Sequence, residues 1–349
     1  MEEVQLKRTL SLLMAMVFAF GLLAGCGGKA PAMNTETTPG TTEATEPTQP
    51  GEEGKYMKIL TLGNSGIVDS CHMLAHVAAK EGYENVKVAT LYYSGCSLAQ
   101  HAAFLTKNAS DYKLYVSSTD DPNTAPTIMN SVTMEQALRY DYWDIIVMQG
   151  SCWEIAGQEA TIEGNIQTIQ KYVRENCLNP NAKFVWHMGW AAPTNNALRD
   201  TYPFPESNVY YTRYVAYGDN RDTLYGAIVK CVQDKIIPSD SFQYIIPTGT
   251  AMENALSSYL DENDIHRDYY HVTDLIRVMN SYVWLCRIFG IEQLAELKVD
   301  AIPMTLFNSI NGVQDYVLTD AEKNVLLESI NNALKTPFAM TQSQYTTAP

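Results

Sequence analysis

Three short stretches of the chain carry residue types that together could perform acyl chemistry: Gly63-Asn64-Ser65, Ser94-Gly95-Cys96 and, far downstream, Asp268-Tyr269-Tyr270-His271. A serine placed where a strand runs into a helix serves as a nucleophile, and an imidazole activates it as a base. A carboxylate then fixes the imidazole tautomer. Asp268 and His271, at i and i+3 on one loop before a helix, can turn toward each other so that the second ring nitrogen faces Ser65. Gly95 has no side chain to keep its N–H out of the same crevice, and Gln149, at the end of a buried run, brings an amide that can donate to a developing oxyanion. Gly150 and Ser151 stand beside Gln149 as substitutes for that role.

Each residue also has a plainer reading. Ser65 can cap the helix that follows it, Gly95 can serve a tight turn, and Gln149 can satisfy loop backbone groups. Asp261, Asp264 and His266 lie close enough to compete with the Asp268–His271 pair. The catalytic reading gains from the company these residues keep, with the order Ser, Asp, His and the last two on one turn.

The elements that must hold them alternate between strand and helix. Residues 58–62 read as a first strand, followed by a turn at 63–66 and a helix through about Lys80 that Gly82 ends. Strands are expected over 86–92, 143–148, 183–188 and 243–246, and helices over 134–139, 159–175, 208–235, 249–260, 272–289 and 321–334. Thr319 and Glu322 form a capping box for the last helix. The stretch 106–130 reads as irregular, a candidate lid. Such alternation makes a parallel sheet wrapped by helices the economical architecture, with sites at the carboxyl ends of strands. Ser65, Gly95 and Gln149 all fall there.

Lys7 and Arg8 precede an apolar run over residues 10–23 that ends in Leu23-Ala24-Gly25-Cys26. The run is short for a spanning helix and reads as a secretion signal. Small residues before a cysteine resemble the bacterial lipobox, which implies cleavage before Cys26 and its lipidation, leaving the chain anchored outside the cytoplasm. Residues 26–55, rich in Thr, Pro and Glu, read as a disordered tether. The domain is expected over 56–337, with a tail at 338–349.

The formal charge of −15 survives signal removal, because Glu2 and Glu3 leave with Lys7 and Arg8. That balance disfavours nucleic acid and anionic membrane as binding partners and is compatible with neutral carbohydrate or an uncharged ester. Six cysteines remain after Cys26, without zinc or redox spacing, and read as buried small hydrophobes, with a Cys71–Cys96 pair open in an exported protein. His72 and His76 stand one turn apart as metal ligands would, but the glutamate of H-E-x-x-H is missing. No metal or cofactor is expected, and no G-x-S-x-G, P-loop or dinucleotide glycine pattern occurs. His101 and His187 are candidates to line the crevice. Tyr202, Tyr210, Tyr211, Tyr214 and Tyr217, with Trp153 and Trp190, suit either sugar stacking or ordinary core and rim.

The blocks Ile59-Leu60-Thr61-Leu62-Gly63-Asn64-Ser65, Tyr93 to Leu98, Trp143-Asp144 leading to Gln149, Trp186-His187-Met188, Ile246 to Ala251 and Asp268 to His271 together resemble the SGNH (GDSL-like) hydrolase superfamily. Within it the chain is most similar to the bacterial DUF4886 family. The resemblance implies a three-layer α/β/α sandwich with a flavodoxin-like parallel sheet, a triad of Ser65, Asp268 and His271, and oxyanion donors from the N–H groups of Ser65 and Gly95 plus a side-chain amide. Two departures stand out: Asn64 where the family usually has Asp, and Gln149-Gly150-Ser151 where it usually has Gly-x-Asn, so the amide role falls to Gln149 by position. The expectation is a serine esterase removing acetyl or similar acyl groups from extracellular carbohydrate. The alternative is a lipoprotein that binds glycan or peptide on a hydrolase scaffold without turnover. A solute-binding receptor shares the lipobox and tether but calls for two lobes and a hinge.

Overall fold

Apolar runs with few polar breaks form strands that are buried on both faces, and such strands pair in parallel under covering helices. The computed structural model describes residues 56–157, 161–202, 205–208, 211–217, 220–307 and 315–349. The signal-like segment, Cys26 and the tether, along with Glu159 and Tyr210, lie outside the described residues. The strands of the main sheet are β1 (Met57–Gly63), β2 (Val86–Tyr92), β3 (Tyr112–Ser118), β4 (Thr127–Val132), β5 (Ile145–Gln149), β6 (Lys183–His187) and β7 (Ile245–Ile246). They form one sheet in the order β4-β3-β2-β1-β5-β6-β7.

The pairs β1/β2, β1/β5, β5/β6 and β6/β7 are parallel. Their order, β2-β1-β5-β6-β7, is the flavodoxin-like one, so the expected α/β sandwich is the observed fold. The edge departs from expectation. Residues 112–132 are not irregular: β3 and β4 form an antiparallel hairpin that extends the sheet beyond β2. The hairpin left little trace in the sequence because β4 is mostly exposed, and an edge strand facing water loses the apolar alternation that marks a strand.

The principal helices are α1 (Ser65–Cys71), α2 (Leu74–Lys80), α3 (Leu98–Lys107), α4 (Met134–Leu138), α5 (Ile162–Asn176), α6 (Thr248–Leu256), α7 (Asp274–Phe289) and α8 (Asp320–Lys335). α1, α2, α6, α7 and α8 pack among themselves, and α3 and α4 pack on α5. Right-handed crossovers require this division, because the chain leaves β1 toward one edge and returns to build toward the other. α7 is buried nearly all round, as its almost unbroken apolar text demands. The single helix expected after the 63–66 turn and through about Lys80 is two. The chain turns at His72 and Met73, where the His72 ring reaches the Leu306 carbonyl at 2.9 Å and Met73 enters the core. Thr319 and Glu322 form the expected capping box on α8. The segment after α8 docks on the domain through Thr341 N–H to Asn254 Oδ1 and Tyr259 N–H to the Tyr345 carbonyl.

The six described cysteines are free thiols, five of them buried. Among the described residues no helix is long and apolar enough to cross a membrane. Gly249, at the start of α6, brings its backbone against the Gly189 carbonyl so closely that a Cβ there would sit 2.2 Å from that oxygen. Gly249→Ala is therefore expected to destabilise the domain by about 1–3 kcal/mol, read as a lower midpoint in urea unfolding with an unchanged slope.

Candidate active site

β1 has β2 on one side and β5 on the other, and the chain departs from it in opposite directions, which opens a crevice at the carboxyl edge. Ser65 follows β1 and is the first residue of α1. It is not the cap. That role belongs to Asn64, whose Oδ1 accepts from Gly66 N–H at 2.9 Å, so the Ser65 hydroxyl is left available. Asn64 also donates through Nδ2 to the Cys96 carbonyl at 3.0 Å and accepts from Gln149 Nε2 at 3.3 Å. One amide thus joins the turns after β1 and β2 to the end of β5. Asn64 was not read as a functional residue from sequence, although an Asn before a helix start is a capping signal.

Gly95 has φ +61°, the left-handed conformation that glycine adopts without strain, in a turn closed by Cys96 N–H to the Tyr93 carbonyl at 3.2 Å. Gln149 is buried and does not line the cavity that holds Ser65, Gly95 and His271. Its Nε2 faces Asn64 Oδ1 and, at 3.5 Å, the Tyr270 hydroxyl. Ser151, two residues on, does line that cavity, and its buried Oγ has no hydrogen-bond partner among the described residues.

The loop 268–271 closes on itself. Asp268 Oδ2 lies 2.8 Å from His271 Nδ1, and Oδ1 accepts from the N–H groups of Tyr270 at 2.9 Å and His271 at 2.7 Å. Partial burial pushes the Asp268 pKa up, but hydrogen bonds from the His271 ring and these two N–H groups outweigh it and hold the carboxyl well below the usual carboxylate range. An Nδ1–H donated to Asp268 leaves Nε2 as the working nitrogen. Trp190 Nε1 donates to the Tyr270 carbonyl at 2.8 Å and stacks on its ring, and Tyr269 N–H donates to Thr201 Oγ1 at 2.9 Å.

Asp69 ties this loop to the serine helix. It sits one turn after Ser65 in α1, is 3% exposed in its side chain, and accepts from Val272 N–H at 3.1 Å, the residue after His271. Arg267 at 3.0 Å and Arg277 at 2.5 Å complete its partners. Sequence reading missed Asp69 because its partners lie about two hundred residues away and no local pattern marks such a contact.

Ser65, Tyr92 and His271 line two adjoining cavities, of about 680 Å3 and about 360 Å3. Among the described residues no hydrogen bond joins Ser65 Oγ to His271. Trp153, Tyr202 and Tyr269 line the larger cavity, whereas Trp190 is buried beneath it. His101 and His187 line neither. His101 bonds the Tyr112 hydroxyl at 2.8 Å, and His187 bonds Ser70 at 2.8 Å and Thr248 at 2.6 Å, with burial pushing its imidazole down to about 3. The local competitors are also engaged elsewhere: Asp261 and Asp264 cap a short helix at Glu262–Ile265, and His266 is buried against Arg221 at 3.1 Å. His76 faces Asn123 at 2.8 Å while His72 faces Leu306, so the two imidazoles do not converge.

The strand order and the serine, histidine and aspartate gathered at its switch point define a flavodoxin-like α/β sandwich with a polar cluster at the carboxyl edge. Residues 58–303 match the family described as domain of unknown function DUF4886, and the chain belongs to that family. A solved DUF4886 family protein from Bacteroides uniformis shares the fold, with a TM-score of 0.65 and 22% identity over 84% of this chain and 100% of its own. Weaker likenesses are to a putative SGNH hydrolase from Slackia heliotrinireducens (TM-score 0.42, 16% identity, 66% of this chain and 97% of that one). A lipase/acylhydrolase from Enterococcus faecalis is similar at TM-score 0.40 and 14% identity, over 67% of this chain and 96% of its own. Comparison with curated proteins finds no match.

Removing the Asp69 carboxylate leaves two guanidinium groups and the Val272 N–H without their shared acceptor. Asp69→Ala is expected to cost about 3 kcal/mol in urea unfolding, toward the lower end for a broken buried pair because the Arg267 side chain is 40% exposed. The depressed Asp268 pKa sets a second expectation. Its stabilising contribution is complete above the ordinary carboxylate value of about 4 and is lost as pH falls below it. Urea unfolding between about pH 5 and about pH 3 should therefore show a steeper loss of stability in the wild type than in Asp268→Asn.

Proposed function

We propose that the chain is a serine esterase that removes acyl groups, acetyl or similar, from extracellular carbohydrate, held at the membrane surface by lipid on Cys26. The observation that carries this reading is His271, bonded through Nδ1 to Asp268, in the same cavity wall as Ser65 at the start of a helix. Ser65 Oγ attacks the ester carbonyl while His271 Nε2 takes its proton. The tetrahedral oxyanion forms near the N–H groups of Ser65 and Gly95, and the positive end of α1 favours it. The buried Ser151 hydroxyl supports the third-donor role better than Gln149, whose amide holds Asn64 instead. Collapse expels the sugar alcohol, which takes the proton from His271. Water, deprotonated by His271, then attacks the acyl-enzyme carbonyl, and collapse breaks the bond to Ser65 Oγ, which takes the proton back from His271 as the carboxylic acid leaves.

The polar and aromatic wall of the larger cavity supports a sugar as the alcohol half of the ester. The same polar and aromatic wall supports a second reading, a glycan-binding protein without turnover. Fluorophosphonate labelling separates the two, because only an activated serine reacts. Ser65→Ala is expected to keep the wild-type unfolding midpoint within about 1 kcal/mol and to lower kcat/KM for p-nitrophenyl acetate by about a thousandfold or more, with loss of labelling. Undiminished hydrolysis in that variant would remove Ser65 as the nucleophile.

A further inference from the structure

Because Ser65, Tyr92 and His271 belong to both cavities, the space around the Ser65 hydroxyl is one cleft with two arms. The arms differ in chemistry. The larger presents Ser97, Gln100, Ser151 and Asn208 with the rings of Trp153 and Tyr202, a mixture of hydrogen-bonding groups and amphipathic faces. The smaller presents Val68, Pro126, Ile128, Leu306 and Phe307.

The charged residues on the smaller arm are Asp69, Arg267 and Arg277, and all are closed on one another. Asp69 pairs with Arg267 at 3.0 Å and Arg277 at 2.5 Å, and Arg277 pairs also with Asp274 at 2.7 Å, so two guanidiniums meet two carboxylates. His72 stacks on Phe307 with centroids 5.0 Å apart, and burial pushes its imidazole down to about 4, which keeps it neutral near pH 7. A ligand in this arm meets mostly apolar surface, and the charged groups there are paired with one another. An ester of a sugar has one polar half and one apolar half, and the cleft has one arm for each.

Building on the esterase reading, we infer that the smaller arm receives the acyl chain and that the preferred substrate carries an uncharged acyl group longer than acetyl. An acetyl methyl would leave most of about 360 Å3 unfilled. The walls have two origins. Ile128 stands on the hairpin strand β4, and Leu306 and Phe307 lie beyond residue 303, where the family match ends. Acyl-length selectivity is thus set partly by the edge hairpin and partly by the segment around residues 304–307.

The test uses the full chain with p-nitrophenyl acetate, butanoate and hexanoate, in the wild type and in Ile128→Trp, which fills the arm from an edge strand where the native side chain is 41% exposed. Wild-type kcat/KM is expected to rise by about tenfold or more from acetate to butanoate, as added methylenes enter an apolar pocket. In Ile128→Trp the butanoate-to-acetate ratio should fall by about the same factor. If the tryptophan variant does not fold, Ile128→Ala replaces it, and the enlarged arm should shift the preference toward hexanoate. Ser65-dependent turnover that favours acetate, or a ratio that neither variant moves, overturns the acyl-arm assignment and leaves the esterase reading standing. Lack of turnover of all three esters together with lack of fluorophosphonate labelling overturns the esterase reading and this inference with it.

Discussion

The carboxylate of Asp69 is the constraint on which the rest of the site depends. A helix that starts at the end of β1 and a loop near the end of the domain have no covalent reason to meet, yet the proposed nucleophile sits on one and the proposed base on the other. Asp69 joins them from inside, because it accepts the N–H of the residue after His271 while lying one turn below Ser65. A buried carboxylate is tolerated only when it is paired and hydrogen-bonded, and the two arginines meet that condition. Both arginines flank the His271 loop, so the same ion pairs that neutralise Asp69 also fix the backbone on either side of the histidine. Restricting that backbone, together with the bond from the His271 ring to Asp268, limits the directions the imidazole can take.

A second polar knot works at the other side of the serine. Asn64 satisfies the start of α1, the turn after β2 and the amide at the end of β5 with a single side chain. Gly66 permits this closeness, because a Cβ there would lie 2.5 Å from the Tyr270 hydroxyl and 2.9 Å from Gln149 Nε2. His187, Ser70, Thr248 and Trp284 form a buried hydrogen-bonded group in which burial keeps the imidazole neutral near neutral pH. The site thus rests on hydrogen-bonded side chains from the sheet and first helix, with the Asp69 ion pairs on one flank.

The hairpin and the segment around 304–307 explain why the cleft has two unlike arms. A bare flavodoxin-like sheet of five parallel strands would end at β2 and leave Tyr92 and Val68 facing solvent. Here β3 and β4 continue the sheet, Tyr115 packs edge-on against Tyr92 with centroids 5.4 Å apart, and Ile128 pairs with Tyr115 across the hairpin. Phe307 closes the other side by stacking on His72 and lying under Arg277. An elaboration at the edge of the sheet thus creates apolar space next to the serine without altering the strands that position it.

The sequence by itself determined the alternation of strand and helix, the parallel core, the capping box on α8, and the local pair Asp268 and His271, because each of these is written in spacings of a few residues. Buried parallel strands read as unbroken apolar runs, caps read as fixed offsets, and an aspartate three residues before a histidine can reach it within one turn. The DUF4886 family was likewise legible, since its blocks lie in those same strand ends. Tertiary structure alone decided that the Gln149 amide is taken up by Asn64 while Ser151 lines the cavity, and that Asp69 holds the histidine loop. These depend on which long-range neighbour satisfies each buried polar group, and that choice is made by packing between segments far apart in the chain, where sequence spacing carries no information.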